Sequence, residues 1–404
     1  MSEVVGFQAL LPPKERAQQI ASVPYDVVDT HEAAALADGN PWSFLHVIRP
    51  EIDLPEGTDL YSDTVYEQAK SALQRFIEAV PYESTGEPAL FIYRLIQSGR
   101  SQVGVVGCCS VDEYDAGGIA IHERTRKAKE DDRTRHVVTM GCQAEPIFLA
   151  YRSQPTIDDL VEQEMEQAPL FDFVAPDEVH HTLWRVADPA RISQAFESVP
   201  RLYVADGHHR AKSASRARSQ LRQSNQSHRG DEAYNRVMAV VFPDSQLSIL
   251  PYNRVVTDLG SRSPADILGA IGQRFPLRAA DAAPDAPHSF RVYAEGSWHA
   301  FEIPPQGTGV IENLDVSLLQ EQVLAPILGI EDPRTDARIS FVGGSRGTGE
   351  LEKRADKSGG VAFSLYATSM AELFAVADGG EIMPPKSTWF EPKLRSGLFL
   401  HSIR

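Results

Sequence analysis

Apolar runs of strand length, broken at short intervals, constrain this chain more than any other feature. They fall at residues 89–94 (ALFIYR), 102–111 (QVGVVGCCSV), 146–151 (PIFLAY), 180–186 (HHTLWRV), 201–205 (RLYVA) and 235–244 (NRVMAVVFPD). None approaches the roughly 18 apolar residues that a membrane-spanning helix requires. Between them lie segments with helical spacing. Residues 62–80 start at a Ser62 or Asp63 cap and place Val65, Ala69, Leu73, Phe76 and Ile77 on one face. Residues 156–167 and 189–198 also read as helices. Such alternation predicts an α/β to α+β class built on a mixed sheet. Gln97-Ser98-Gly99-Arg100 reads as a hairpin turn, and a second hairpin is expected between 235–244 and 247–256.

A chain of 404 residues exceeds the size at which one core usually stops growing. A shift to Ala, Pro and Asp after residue 256 predicts an N-terminal core over 1–256, a smaller α+β unit over 257–350 and a strand-helix with a docking tail over 351–404. A single family domain over 1–404 is the alternative. The net charge of −17 argues against a nucleic-acid scaffold, which needs a basic excess. Three cysteines, Cys108, Cys109 and Cys142, form neither a disulfide framework nor a C-x-x-C zinc ribbon. The first residues lack a signal-peptide pattern, so a cytoplasmic location without membrane attachment is expected. Homo-oligomerisation is left open.

The stretch YVADGHHRA, Tyr203 to Ala211, crowds an acid, two imidazoles and a guanidinium between a buried strand and a helix. Gly207 supplies the unusual dihedrals of the turn, and the unpaired N–H groups of the helix start suit an anion. His208, His209 and Arg210 are therefore read as phosphate-binding, with Asp206 holding Mg²⁺ or orienting an imidazole. The plainer alternative is a helix cap, a core histidine and a surface ion pair.

His122 and Glu123 leave a second apolar run, 118–121, and provide a candidate base or metal ligand. Lys127, Lys129, Arg133 and His136 lie within a charged segment, 122–136, and could balance an anionic substrate. A solvated helix with pairs such as Lys127–Asp131 would equally explain those charges. The glycine-rich 341–350 lacks the Lys-Ser/Thr ending of a P-loop and reads as a flexible turn. In the tail, Lys386, Ser387 and Thr388 are further candidates for the same anion.

Together with VPYDVV, NPWSFLHVIRPEIDLP, HERTRKAKEDDRTRH, EPIFLAYR, PYNRVV and MPPKSTWFEPKLRSGLFLH, the ADGHHR turn resembles the domain-of-unknown-function family 1015 over essentially the whole chain. The turn alone also resembles the phosphate box of the ParB/sulfiredoxin superfamily, which includes the free-serine kinases. That resemblance implies a ParB/sulfiredoxin-like nucleotide-binding unit using ATP or ADP with Mg²⁺. Gly207, His208, His209 and Arg210 would contact phosphate, and Asp206 the metal. Glu123 would be the base, with Glu130 and Glu51 behind it. It further implies phosphate transfer between the nucleotide and a small hydroxyl metabolite, serine above all. A phosphoserine phosphatase and a non-catalytic nucleotide-binding regulator are the alternatives.

Overall fold

The computed structural model describes residues 2–404. The described residues form two compact units, one of residues 2–247 with 392–404 and one of residues 248–391.

The first unit is built on a nine-stranded mixed sheet. Its order is Ile119–Ala120, Leu202–Asp206, Ile147–Tyr151, Arg236–Pro243, Arg100–Ser110, Phe91–Gln97, His180–Arg185 and Phe171–Val174, with Val4–Val5 pairing on Arg100–Ser110. Phe91–Gln97 and Arg100–Ser110 make the expected hairpin, and its turn residues Ser98 and Gly99 both have positive φ. That backbone twist matches the strands it joins. On one face, Ile92, Val105, Leu149, Val204 and Val241 pack with Ile157, Leu160, Ile192 and Phe196 of two covering helices. Burying each such side chain contributes roughly 1.5–3 kcal/mol. Helix Asp63–Ala79 packs Ala69, Leu73 and Phe76 into a second cluster with Phe44 and Ile48, whereas Ile77, read on the same face, is exposed.

The strand pairings at one edge of the sheet bring distant segments together. Leu202–Asp206 runs parallel to Ile119–Ala120 and antiparallel to Ile147–Tyr151. The chain after Ala120, the chain after Asp206 and the chain before Ile147 therefore all emerge at the same edge.

In the second unit a six-stranded antiparallel sheet includes Tyr252–Val256 between Ile339–Gly343 and Val361–Ser364. This corrects the hairpin expected between 235–244 and 247–256. Both edges of Arg236–Pro243 are already paired, to Arg100–Ser110 and Ile147–Tyr151. Pro251, which has no N–H to offer a ladder, precedes Tyr252. The division between units accordingly falls a strand before the composition shift at 257. The glycine-rich 341–350 is not a free turn: it ends the Ile339–Gly343 strand and begins helix Gly347–Ser358.

Two further expectations change. The charged segment forms helix Lys127–Met140, and Lys127–Asp131 is an exposed pair at 2.7 Å. Asp132, Arg133, Thr134 and His136 are nevertheless buried, so this helix is not simply a solvated face. The tail divides as well. Residues 383–391 belong to the second unit, whereas 392–404 return to the first, where Leu400–Ser402 pairs with Ala9–Leu11 and Cys142–Gln143.

The returning segment is held by Arg395. Its Nη2 reaches Asp177 Oδ1 at 2.6 Å, and its Nε donates to His181 Nε2 at 3.2 Å. His181 Nδ1 in turn lies 2.8 Å from the Tyr93 hydroxyl. Arg395 is buried, and burial of the imidazole together with the Arg395 charge keeps His181 neutral. Arg395→Met keeps the stem and removes these charge-assisted bonds, so it should lower stability in urea unfolding by about 2–3 kcal/mol.

Candidate functional site

Strand Leu202–Asp206 is buried up to Ala205 and ends where Gly207 turns the chain at φ 88°, ψ 30°. A Cβ at this position would meet the Arg210 guanidinium at 3.1 Å, in a backbone region that only glycine occupies without strain. Helix His208–Ser224 begins at once. Its first N–H groups have no intrahelical acceptor, and the helix dipole favours negative charge there.

Asp206 is fully engaged. Oδ1 accepts from the Gly207 N–H at 2.7 Å and Oδ2 from Lys393 Nζ at 2.9 Å. Burial would raise the carboxyl pKa, but Lys393, Arg210 and the Gly207 N–H outweigh it and hold the group well below the usual carboxylate range. Lys393 arrives from the returning tail and occupies the place at Asp206 where the sequence reading puts a metal ion. Among the described residues there is no group of three or more His, Cys, Asp or Glu arranged for a metal. The residues of this site therefore do not by themselves fit a Mg²⁺ centre.

The parallel partner strand delivers His122 and Glu123 to the same edge. The His122 ring stands edge-on to His208, centroids 4.5 Å apart, and Glu123 Oε2 lies 3.9 Å from His208 Nδ1. That separation is too long for a hydrogen bond but short enough for one to form with a small movement. Burial drives the His122 pKa down to about 4 against the opposing pull of the Val204 backbone and Asp206. Burial and then His122 hold His208 well below its ordinary value. Both rings are neutral at pH 7. His208 is thus a neutral donor or acceptor, and its buried Nε2 has no hydrogen-bond partner among the described residues. His209 Nε2 accepts the Arg126 N–H at 3.1 Å, which leaves the ring proton on Nδ1.

Arg210 turns inward, and its guanidinium donates to the Pro146 carbonyl. Burial would lower its pKa, but the charges of Asp26, Asp206 and Glu145 raise it. Glu145 Oε1 accepts from the Tyr25 N–H at 3.2 Å and the Ser396 hydroxyl at 3.4 Å. Arg133 joins the same cluster, with its guanidinium 4.2 Å from the Tyr25 ring centroid and Nε 2.9 Å from Asp132 Oδ2. Arg133 and Arg210 both line a cavity of about 30 Å³. These two arginines are embedded in a polar core behind the turn.

The other candidates separate. Lys127 is exposed and paired with Asp131. Glu130 accepts from Arg216 at 3.2 Å and from Thr125, while Glu51 accepts from Arg49 at 2.8 Å and Thr30 at 3.3 Å. Of the three glutamates read as bases, Glu123 is the one against His208. Lys386, Ser387 and Thr388 lie in the second unit, where the Ser387 hydroxyl donates to the Pro384 carbonyl at 2.6 Å and Lys386 Nζ stands 5.2 Å from the Tyr252 ring centroid. Sequence reasoning missed Lys393, Tyr25, Asp26 and Glu145 as site residues. Their motifs EPKLR, VPYD and EPIF were visible, but nothing in their spacing says which end of which strand they meet.

The profile of the family described as "Protein of unknown function (DUF1015)" matches residues 4–317. No curated protein matches the chain. Among solved structures, SbnI with a C-terminal truncation from Staphylococcus aureus is similar at 15% identity and a TM-score of 0.39, over 72% of this chain and 85% of that one. A free serine kinase in complex with AMP aligns at 13% identity and a TM-score of 0.34, over 72% of this chain and 92% of that one. A conserved hypothetical protein from Pyrococcus furiosus aligns at 14% and 0.35, over 72% and 93%.

The depressed pKa of His122 gives a signed expectation. The unfolded chain binds a proton near pH 6.5 that the folded chain refuses until about pH 4, so stability is full above pH 6.5 and falls with acidification. Urea unfolding at pH 7 and pH 5 should show a loss of about 2 kcal/mol from this residue, absent in His122→Gln.

Proposed function

We propose, for a chain that belongs to the DUF1015 family of proteins of unknown function, that the turn after Asp206 binds the phosphates of ATP or ADP and that the enzyme moves phosphate to or from a small hydroxyl metabolite, serine or phosphoserine. One observation carries this reading. A carboxylate, Glu123, stands 3.9 Å from a neutral histidine at the start of a helix that has no side-chain cap and whose dipole favours an anion. Phosphoryl transfer asks the protein for little more than such a cradle, charge stabilisation and a positioned base.

In this reading the helix start and the Lys393 ammonium hold the transferring phosphate. Glu123 accepts the proton of the acceptor hydroxyl as its oxygen bonds to phosphorus and the bond to the donor oxygen breaks. His122 and His208, neutral and packed together, orient substrate oxygens by hydrogen bonding. Arg210 and Arg133 keep the turn in place from behind. Mg²⁺, where the reaction uses it, would arrive on the nucleotide phosphates, since Mg²⁺ commonly retains water and substrate oxygens as ligands. With phosphoserine in place of the nucleotide as donor and water as acceptor, the same groups would act as a phosphoserine phosphatase.

The test is incubation with ATP or ADP and serine, assayed for phosphoserine, beside calorimetry of nucleotide binding. Glu123→Gln keeps the shape and removes basicity, so turnover should fall ~100-fold or more with nucleotide affinity retained. Lys393→Met leaves Asp206 uncompensated against the phosphate, so nucleotide affinity should drop by about 2 kcal/mol or more. Tight nucleotide binding without turnover would replace the enzyme by a nucleotide-binding regulator. Absence of both would reduce the turn to a structural cap.

A further inference from the structure

A second cavity lies at the far end of the same sheet. Strand Ile147–Tyr151 begins beside the Asp206 turn and, running antiparallel to Leu202–Asp206, ends at Tyr151. There a cavity of about 210 Å³ opens beneath helix Pro155–Met165. Asp158, Val161, Glu162 and Met165 line it from one face of that helix, the i, i+3, i+4, i+7 face. Val103, Val105 and Val241 of the sheet supply an apolar floor.

Tyr151 has a specific place in this cavity. The residue is 1% exposed and lines the space, yet its hydroxyl makes no hydrogen bond among the described residues. Tyr151 lines the cavity, so its unbonded hydroxyl can be met there by a ligand or water. The charged groups around it are all acidic: the hydroxyl feels Asp158 and Asp244, and Asp158 feels Asp159, Glu162 and Asp244. No Lys or Arg lines the cavity. Burial and these like charges raise the Asp158 pKa, so the carboxylate lacks the counter-ion that would stabilise it. An apolar floor, an acidic rim and an acceptor-capable hydroxyl together describe the complement of an amphipathic cation.

We propose that this cavity binds a small organic ammonium with a short apolar body, its nitrogen held by Asp158 and the Tyr151 hydroxyl and its hydrocarbon on the valine floor. The site is separate from the Asp206 turn and does not depend on any activity there. The volume admits a ligand of only a few carbon atoms, below the ordinary range for drug-sized molecules.

Calorimetry of the full chain with n-pentylamine, charged at pH 7, tests the proposal beside pentan-1-ol and pentanoate of the same length. Saturable binding of the amine is expected, at least tenfold tighter than the alcohol, with no binding of pentanoate. Asp158→Asn should weaken the amine at least tenfold while the protein stays folded, because the Asp158 carboxylate forms no hydrogen bond or ion pair among the described residues for the substitution to break. Tyr151→Phe should weaken it several-fold, and if that variant fails to fold, Asp158→Asn decides alone. The proposal is overturned if the amine does not saturate at tens of millimolar, if the alcohol binds equally well, or if Asp158→Asn leaves amine binding unchanged.

Discussion

The short parallel ladder between Ile119–Ala120 and Leu202–Asp206 is the contact on which the candidate site rests. Parallel strands point their C-terminal ends the same way, so the segments that leave those ends are set together at one edge of the sheet. Through this ladder His122 and Glu123 meet His208 across more than eighty positions of chain. Ile147–Tyr151, antiparallel on the other side, adds Glu145 and Pro146 at its beginning. No local preference of any of these segments could produce that meeting. Strand order produces it.

Charge at the site is arranged in layers. Next to the turn, two imidazoles are kept neutral by burial, and the ionised Asp206 is balanced by Lys393. Behind it, Arg210 and Arg133 are matched by Asp26, Glu145 and Asp132. A buried arginine without such carboxylates would be strongly unfavourable, and the carboxylates without the arginines equally so. The acidic and basic residues of this region are thus mutually dependent. Arg210 lies against Gly207 and donates to the Pro146 carbonyl.

The C-terminal segment has a part in this arrangement that its position in the chain conceals. Residues 392–404 return to the first unit, where Lys393 reaches Asp206, Arg395 reaches Asp177 and His181, and Ser396 reaches Glu145. The segment is tied at several points by charge-assisted bonds, and Leu400–Ser402 closes a small sheet. The ammonium beside Asp206 and part of the unit's stability come from the same segment, 392–404.

Local pattern by itself determined much of this protein. Strand and helix identity came from apolar runs and helical spacing, because burial of one face leaves a periodic mark, and the ADGHHR turn was marked by Gly207 between a strand and a helix. Glu123 and Asp206 could be named as candidates because few residue types can act as a base, hold a metal ion or orient an imidazole beside a phosphate. What only the tertiary structure decided was pairing and protonation. Lys393 in place of a metal, Arg133 and Arg210 turned inward, neutral His122 and His208, and Tyr252–Val256 in the second unit's sheet all depend on which surfaces meet. Strand order and desolvation are properties of the assembled fold: a ladder can pair with any compatible edge, and the His122 pKa falls far below its ordinary value because burial penalises the charged ring.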